Sequence, residues 1–187
     1  MPGSLPVFDT VVEQFIEWIA PRCALDIGCG STQVGDMLAR RAPGCEREAE
    51  SAERVDLALI GPGIAQRAKS EGLDLLNALT YRAGWIIVLA PEFSVPGAAR
   101  GIDAELPRSV WSERDFGWHD LWAWDNTRAM SLFLLRGYPP SVITIDALVE
   151  RVNEGALPLL DFDGQTRVRP CRLRLVDHAR EVGYRVR

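Results

Sequence analysis

The stretch Ala24-Leu25-Asp26-Ile27-Gly28-Cys29-Gly30-Ser31-Thr32 decides the fold. A short apolar run ends in a loop with two glycines, and an amphipathic segment follows at once. The pattern predicts a buried strand over 23–27, a tight turn, and a helix over 32–41. In that helix Val34, Met37, Leu38 and Arg41 fall on neighbouring turns. The glycines let the backbone bend sharply and lie close to a ligand. The first N–H groups of the helix lack partners within it and point into the same space. Asp26, near the strand's end, can accept a hydrogen bond there. The bland alternative is a strand-to-helix turn that binds nothing. No glycine stands at Ser31, Thr32 or Gln33, which argues against the dinucleotide loop with its third glycine.

Asp26-x-Gly28-x-Gly30 resembles motif I of the class I S-adenosylmethionine-dependent methyltransferases. Thr32 departs from the third glycine common in that family. The resemblance implies an α/β, Rossmann-like sheet with helices on both faces. It implies S-adenosylmethionine as cofactor, held by Asp26, Gly28, Cys29 and Gly30. In the family a second strand ends in an acid that hydrogen-bonds the ribose. Counted from Asp26, Glu48 or Glu50 falls there, in a polar run from Cys45 to Arg54 that reads equally as a solvated charged loop. Ile60 and Gly61, where the next strand ends, are further cofactor-binding positions that the resemblance implies. Between Glu50 and Val55 there is no room for the helix, third strand and further helix that the family carries. The chain therefore resembles a methyltransferase core shortened in the middle, with the adenosine half of its pocket thinned.

Composition agrees with a folded domain. The 187 residues suit one domain with an appendage, and 47% hydrophobic against 25% charged residues can build a core. A net charge of −5 gives no bulk attraction to nucleic acid or to an acidic membrane. Cys23, Cys29, Cys45 and Cys171 contain no Cys-x-x-Cys, and His119 and His178 are the two histidines, so no metal site is expected. Residues 1–9 lack the basic and long apolar regions of a signal peptide, and no apolar run reaches membrane-spanning length. These features predict a cytoplasmic protein with reduced thiols.

Outward from the glycine turn, Thr10 to Glu13 has capping-box spacing. Val11, Val12, Phe15, Ile16 and Ile19 then make one helical stripe, which Pro21 stops. Residues 55–60 and 85–91 read as strands, the second apolar throughout, as in a sheet covered on both faces. A helix over 74–82 lies between them. Four of the six tryptophans fall in 111–125. Ser109-x-Trp111-x3-Asp115-Phe116 resembles a segment of some small methyltransferases that leads into the sixth strand. That strand is expected over 119–124 and the seventh over 130–136, as an antiparallel hairpin.

The methyltransferase-like domain is thus expected over 8–137. A small α+β extension follows over 138–187, with a helix over 144–153, a strand over 157–162 and a helix over 175–181. No family is recognised in that tail. Its Arg167, Arg169, Arg172 and Arg174 suit phosphate contacts to nucleic acid, or else a solvated strand face or an acidic protein partner.

Methyl transfer asks the protein for alignment of donor and acceptor and, where needed, removal of a proton. His119 is the candidate base, because an ordinary imidazole titrates near neutrality. Asp115 is a second candidate. Both have a plainer alternative, a packing histidine and a solvated carboxylate. Trp111, Trp118, Trp122 and Trp124 can stack an acceptor, or form hairpin core, a protein-partner contact or a homo-oligomer contact. The loop Ile60-Gly61-Pro62-Gly63 lacks the Asn/Asp-Pro-Pro-Tyr/Phe of amino-methyltransferases acting on DNA bases. The function expected is S-adenosylmethionine-dependent methylation of an oxygen or nitrogen acceptor. The rival is a non-catalytic, degenerate methyltransferase fold serving as a structural or assembly subunit.

Overall fold

The computed structural model describes residues 6–28, 33–48, 53–91, 107–126, 130–140, 157–159, 169–171 and 174–175. Helix α1, Pro6–Ile19, begins earlier than its capping-box spacing suggests. Pro6 at the first helical position costs nothing, since its missing N–H would be unpaired there anyway. The helix ends where Ala20 takes a left-handed φ of 48° before Pro21. Strand β1, Cys23–Ile27, and helix α2, Gln33–Arg41, flank the glycine turn as expected.

The charged segment resolves in favour of a strand. Strand β2, Glu46–Glu48, runs parallel to β1 with Leu25 opposite Glu48. The Glu46 N–H donates to the Arg22 carbonyl at 2.8 Å. Only three residues long and charged, β2 has the character of a sheet edge.

Six residues then lead to β3, Val55–Ile60, whose side chains are all buried. A 3-10 turn, Pro62–Gln66, and helix α3, Lys69–Thr80, bring the chain to β4, Ala83–Pro91. Helix α3 begins five residues before the expected 74. Its first turn, Lys69-Ser70-Glu71, is polar and invisible to apolar periodicity. The Glu71 carboxylate accepts the Ala68 N–H at 2.8 Å and so starts the helix. Strands β5, Asp120–Asn126, and β6, Met130–Arg136, form the expected antiparallel hairpin.

Among the described residues the main sheet has seven strands in the order β2-β1-β3-β4-β6-β5-β9, where β9 is Arg174–Leu175. Strands β1 to β4 are parallel, and β6 runs against β4. Among the described residues nothing extends the sheet beyond β2, so the expected shortening is present. In the tail, β7, Leu157–Leu159, pairs with β8, Arg169–Cys171, and lies beside α1. Strand β9 pairs with β5 and so joins the main sheet. Of the segment expected as strand over 157–162, the first three residues are extended. The helices expected over 144–153 and 175–181 lie outside the described residues, apart from Leu175, which is a strand residue.

Both faces of the sheet are covered. Ile86, Val88 and Ala90 of β4 pack with Leu76 and Leu79 of α3, Phe116 and Phe133. The alternate residues Trp85, Ile87 and Leu89 are equally buried on the other face. The buried stripe of α1 takes no part in the α3-side cluster. Helices α1 and α2 are held together by Arg40 and Arg41, which pair with Glu13 at 2.5 and 3.0 Å.

Candidate functional site

The strand order reverses at β1. The chain leaves β1 for β2 on one side and returns to β3 on the other. In an open parallel sheet such a switch point leaves a crevice outside the carboxyl ends of the strands. Here that point lies between Ile27 and Ile60, the last residues paired between β1 and β3. The Gly61 N–H donates to the Ile27 carbonyl at 2.8 Å. Gly28 follows with φ 72°, a conformation that residues with a Cβ rarely adopt. A Cβ placed on Gly28 would stand 3.8 Å from the Cα of Gly63, and one placed on Gly63 would stand 3.7 Å from the Gly28 oxygen. The two loops thus meet backbone to backbone, with Gly28 exposed and no described side chain between them.

Of the residues singled out from the sequence, Asp26, Gly28, Ile60 and Gly61 are brought together at this end of the sheet. Asp26 is half-buried opposite Leu59, and Ile60 and Gly61 are buried. Glu48 closes β2 opposite Leu25, one strand away from the turn. Cys29, Gly30 and Glu50 lie outside the described residues.

His119 is not brought there. Strand β5 begins at Asp120 opposite Arg136, which is in turn opposite Trp85 near the start of β4. His119 therefore precedes β5 at the end of the sheet remote from Gly28. It is buried against Phe116 at 6.3 Å between ring centroids, and neither ring nitrogen has a hydrogen-bond partner among the described residues. Burial lowers its pKa from 6.5. This geometry fits the packing histidine that the sequence reading also allowed.

Asp115 is engaged structurally. Its carboxylate accepts the Ser112 N–H at 2.7 Å and pairs with Lys69 at 2.8 Å. Lys69, the only lysine in the chain, also donates to the Val110 carbonyl and sits 3.9 Å from the centre of the Trp111 ring. The Trp111 indole N–H donates to the Ser109 hydroxyl at 2.9 Å, and the Arg108 N–H donates to the Ala65 carbonyl at 2.7 Å. The segment around Trp111 is thus clamped onto the 3-10 turn that continues directly from Gly61. Trp111 lies so close to α3 that a Cβ at Gly72 would fall 2.4 Å from its ring. Sequence reasoning missed this clamp and Gly63. The uniqueness of Lys69 and the Gly-x-Gly at 61–63 are the signals that point to them.

No family model matches the chain, and no curated protein matches it by sequence. Solved structures do share its fold. The structure described as PigF with SAH is similar over 72% of this chain and 62% of its own, at 12% identity and a TM-score of 0.50. Human N-acetylserotonin methyltransferase in complex with SAM covers 70% of this chain at 12% identity and a TM-score of 0.49. An O-methyltransferase family protein from Burkholderia thailandensis covers 71% at 11% identity and a TM-score of 0.49. The fold is a methyltransferase-type, Rossmann-like α/β sheet. The chain spans only 52% and 56% of the latter two. Among the described residues no helix is long and apolar enough to cross a membrane, and no cluster of metal ligands occurs.

Proposed function

We propose that the chain binds S-adenosylmethionine at the Gly28 turn and transfers its methyl group to an oxygen or nitrogen acceptor. The observation that carries this reading is the turn itself: a left-handed glycine at the switch point, facing a second glycine loop with no described side chain between them. Such a surface suits a long, polar ligand that must lie against backbone N–H and C=O groups. Asp26, Gly28, Cys29 and Gly30 would hold the amino-acid end, Glu48 or Glu50 the ribose, and Ile60 and Gly61 the facing wall. When bound, the sulfonium supplies an electrophilic methyl group. The chain's contribution is alignment, since backbone-lined loops fix the ligand while the Lys69 clamp fixes the loop after β3.

One observation favours a second reading, a scaffold without catalysis. Strand β2 is a three-residue edge with six residues between it and β3, which leaves little protein to enclose the adenosine half. Isothermal titration of the purified chain with S-adenosylhomocysteine separates the two. The enzyme reading expects saturable heat with a dissociation constant of about 1 to 100 μM. Heat indistinguishable from buffer with folded protein supports the scaffold. The tail arginines are a separate proposal for nucleic-acid contact. Arg169 is placed in β8 and Arg174 in β9, while Arg167 and Arg172 lie outside the described residues.

A further inference from the structure

We infer that a second copy of this chain docks on the sheet end remote from the glycine turn, through Trp118, Tyr81 and Tyr138. Trp118 is 97% exposed, Tyr81 70% and Tyr138 67%. The fold brings all three to one end. Trp118 stands two residues before Asp120, and Tyr138 two residues after Arg136, the pair that closes the β5–β6 ladder. The Tyr138 N–H donates to the Thr80 carbonyl at 2.8 Å, which sets its ring against Tyr81 with centroids 5.1 Å apart. Of the tryptophans at 111–124 whose side chains are described, Trp111 is 2% exposed, Trp124 packs against the core, and Trp118 is presented to solvent.

The occupant follows from area and charge. An aromatic side chain buries about 150–250 Å² on contact, so three give roughly 500 Å² per copy and about 1,000 Å² for a two-fold pair. That reaches the lower limit of a specific interface, about 1,000 Å², and predicts a weak dimer. A two-fold arrangement lets Trp118 of each copy stack on the other's Tyr81–Tyr138 pair. Trp and Tyr are the residue types that dominate interface energetics. A nucleic-acid partner would need an excess of cations at this end. Arg136 there lies 3.9 Å from Asp120, and the chain's net charge is −5.

Sedimentation velocity of the full chain from about 1 to 300 μM tests this, a range that spans the weak end of specific association. A reversible monomer–dimer equilibrium is expected. Trp118→Arg and Tyr138→Ser should each weaken it by at least about tenfold, as for a central aromatic contact. Both positions are exposed, and circular dichroism checks that the variants fold. Val110→Ser is the control. Val110 is 60% exposed, but its carbonyl is bound by Lys69 at the first residue of α3, whereas Tyr81 follows the last. It should leave the equilibrium unchanged. A wild-type monomer at every concentration overturns the inference, as does a dimer that Trp118→Arg leaves intact or that Val110→Ser abolishes.

Discussion

Where β1 and β3 end, the surface is backbone: Gly28 at φ 72°, Gly61 bonded to Ile27, and Gly63 so placed that a Cβ on Gly28 would stand 3.8 Å from its Cα. Where β4 and β5 begin, the surface is rings: Tyr81, Trp118 and Tyr138, with His119 buried behind them. The sheet supports both ends equally, since β3 and β4 are buried almost throughout. What differs is what each end offers a ligand. Exposed peptide groups read shape and hydrogen bonds at close range, whereas exposed rings offer apolar area. The first arrangement suits a small polar cofactor and the second a broad, dry contact.

The largest effect is expected at the glycine end. Gly28→Val forces a β-branched residue into a left-handed conformation, at a cost of about 1–3 kcal/mol in backbone strain. It also puts methyl groups where the ligand would lie. Binding of S-adenosylhomocysteine should fall by about 100-fold or more by calorimetry, a loss worth roughly 2.7 kcal/mol. Unchanged affinity in a folded Gly28→Val protein would erase the contrast between the two ends.

The clamp between α3 and the Trp111 segment comes next. Gly72→Ala places a Cβ 2.4 Å from the Trp111 ring. Overpacking of that kind costs about 1–3 kcal/mol, which should lower the thermal midpoint by several degrees. Lys69→Met removes the charge that pairs with Asp115 and lies over Trp111, and should lower it by less. Differential scanning calorimetry reads both. A Gly72→Ala protein as stable as wild type would show that the clamp is looser than its geometry.

At the aromatic end, His119 supplies a pH signature. Burial lowers its pKa from 6.5, so the folded imidazole stays neutral while the unfolded chain gains a proton as pH falls through 6.5. The unfolded state then binds more protons, so stability drops below pH 6.5 and levels off only beneath the folded pKa. His119→Phe should remove that slope. It should also add about 1 kcal/mol at pH 7, because two buried nitrogens without partners are deleted. Urea midpoints at pH 7 and pH 5 decide it, and an undiminished slope in His119→Phe would place the titration elsewhere.

The smallest effect concerns Cys45, beside the start of β2. Burial, then Cys23, Asp56 and Glu46, push its thiol up to about 11. Alkylation by iodoacetamide at pH 8 should therefore be slow and should accelerate toward pH 11, since the thiolate is the nucleophile. A rate already maximal at pH 9 would contradict this.

Much of this plan was legible in the residues. Strand 23–27, hairpin strand 130–136 and the missing middle follow from apolar runs and from the short distance between Glu48 and Val55. These signals are local, and local patterns survive folding. The start of α3 was not legible, because Lys69-Ser70-Glu71 carries no apolar residue. The position of His119 was not legible either, since proximity in sequence to a strand does not say which end of the sheet it occupies. That depends on β5 running parallel to β4 beside an antiparallel β6, a fact of topology. Likewise Trp111 and Trp118 look alike in sequence, yet one is 2% and the other 97% exposed.

The most direct test of the two-ended account is a nuclear magnetic resonance titration of the ¹⁵N-labelled chain with S-adenosylhomocysteine. The account predicts that the amides of Gly28, Gly61 and Gly63 shift progressively and saturate while the Trp118 indole N–H stays in place. Glycine amides that do not move, or a response centred on Trp118, would contradict it.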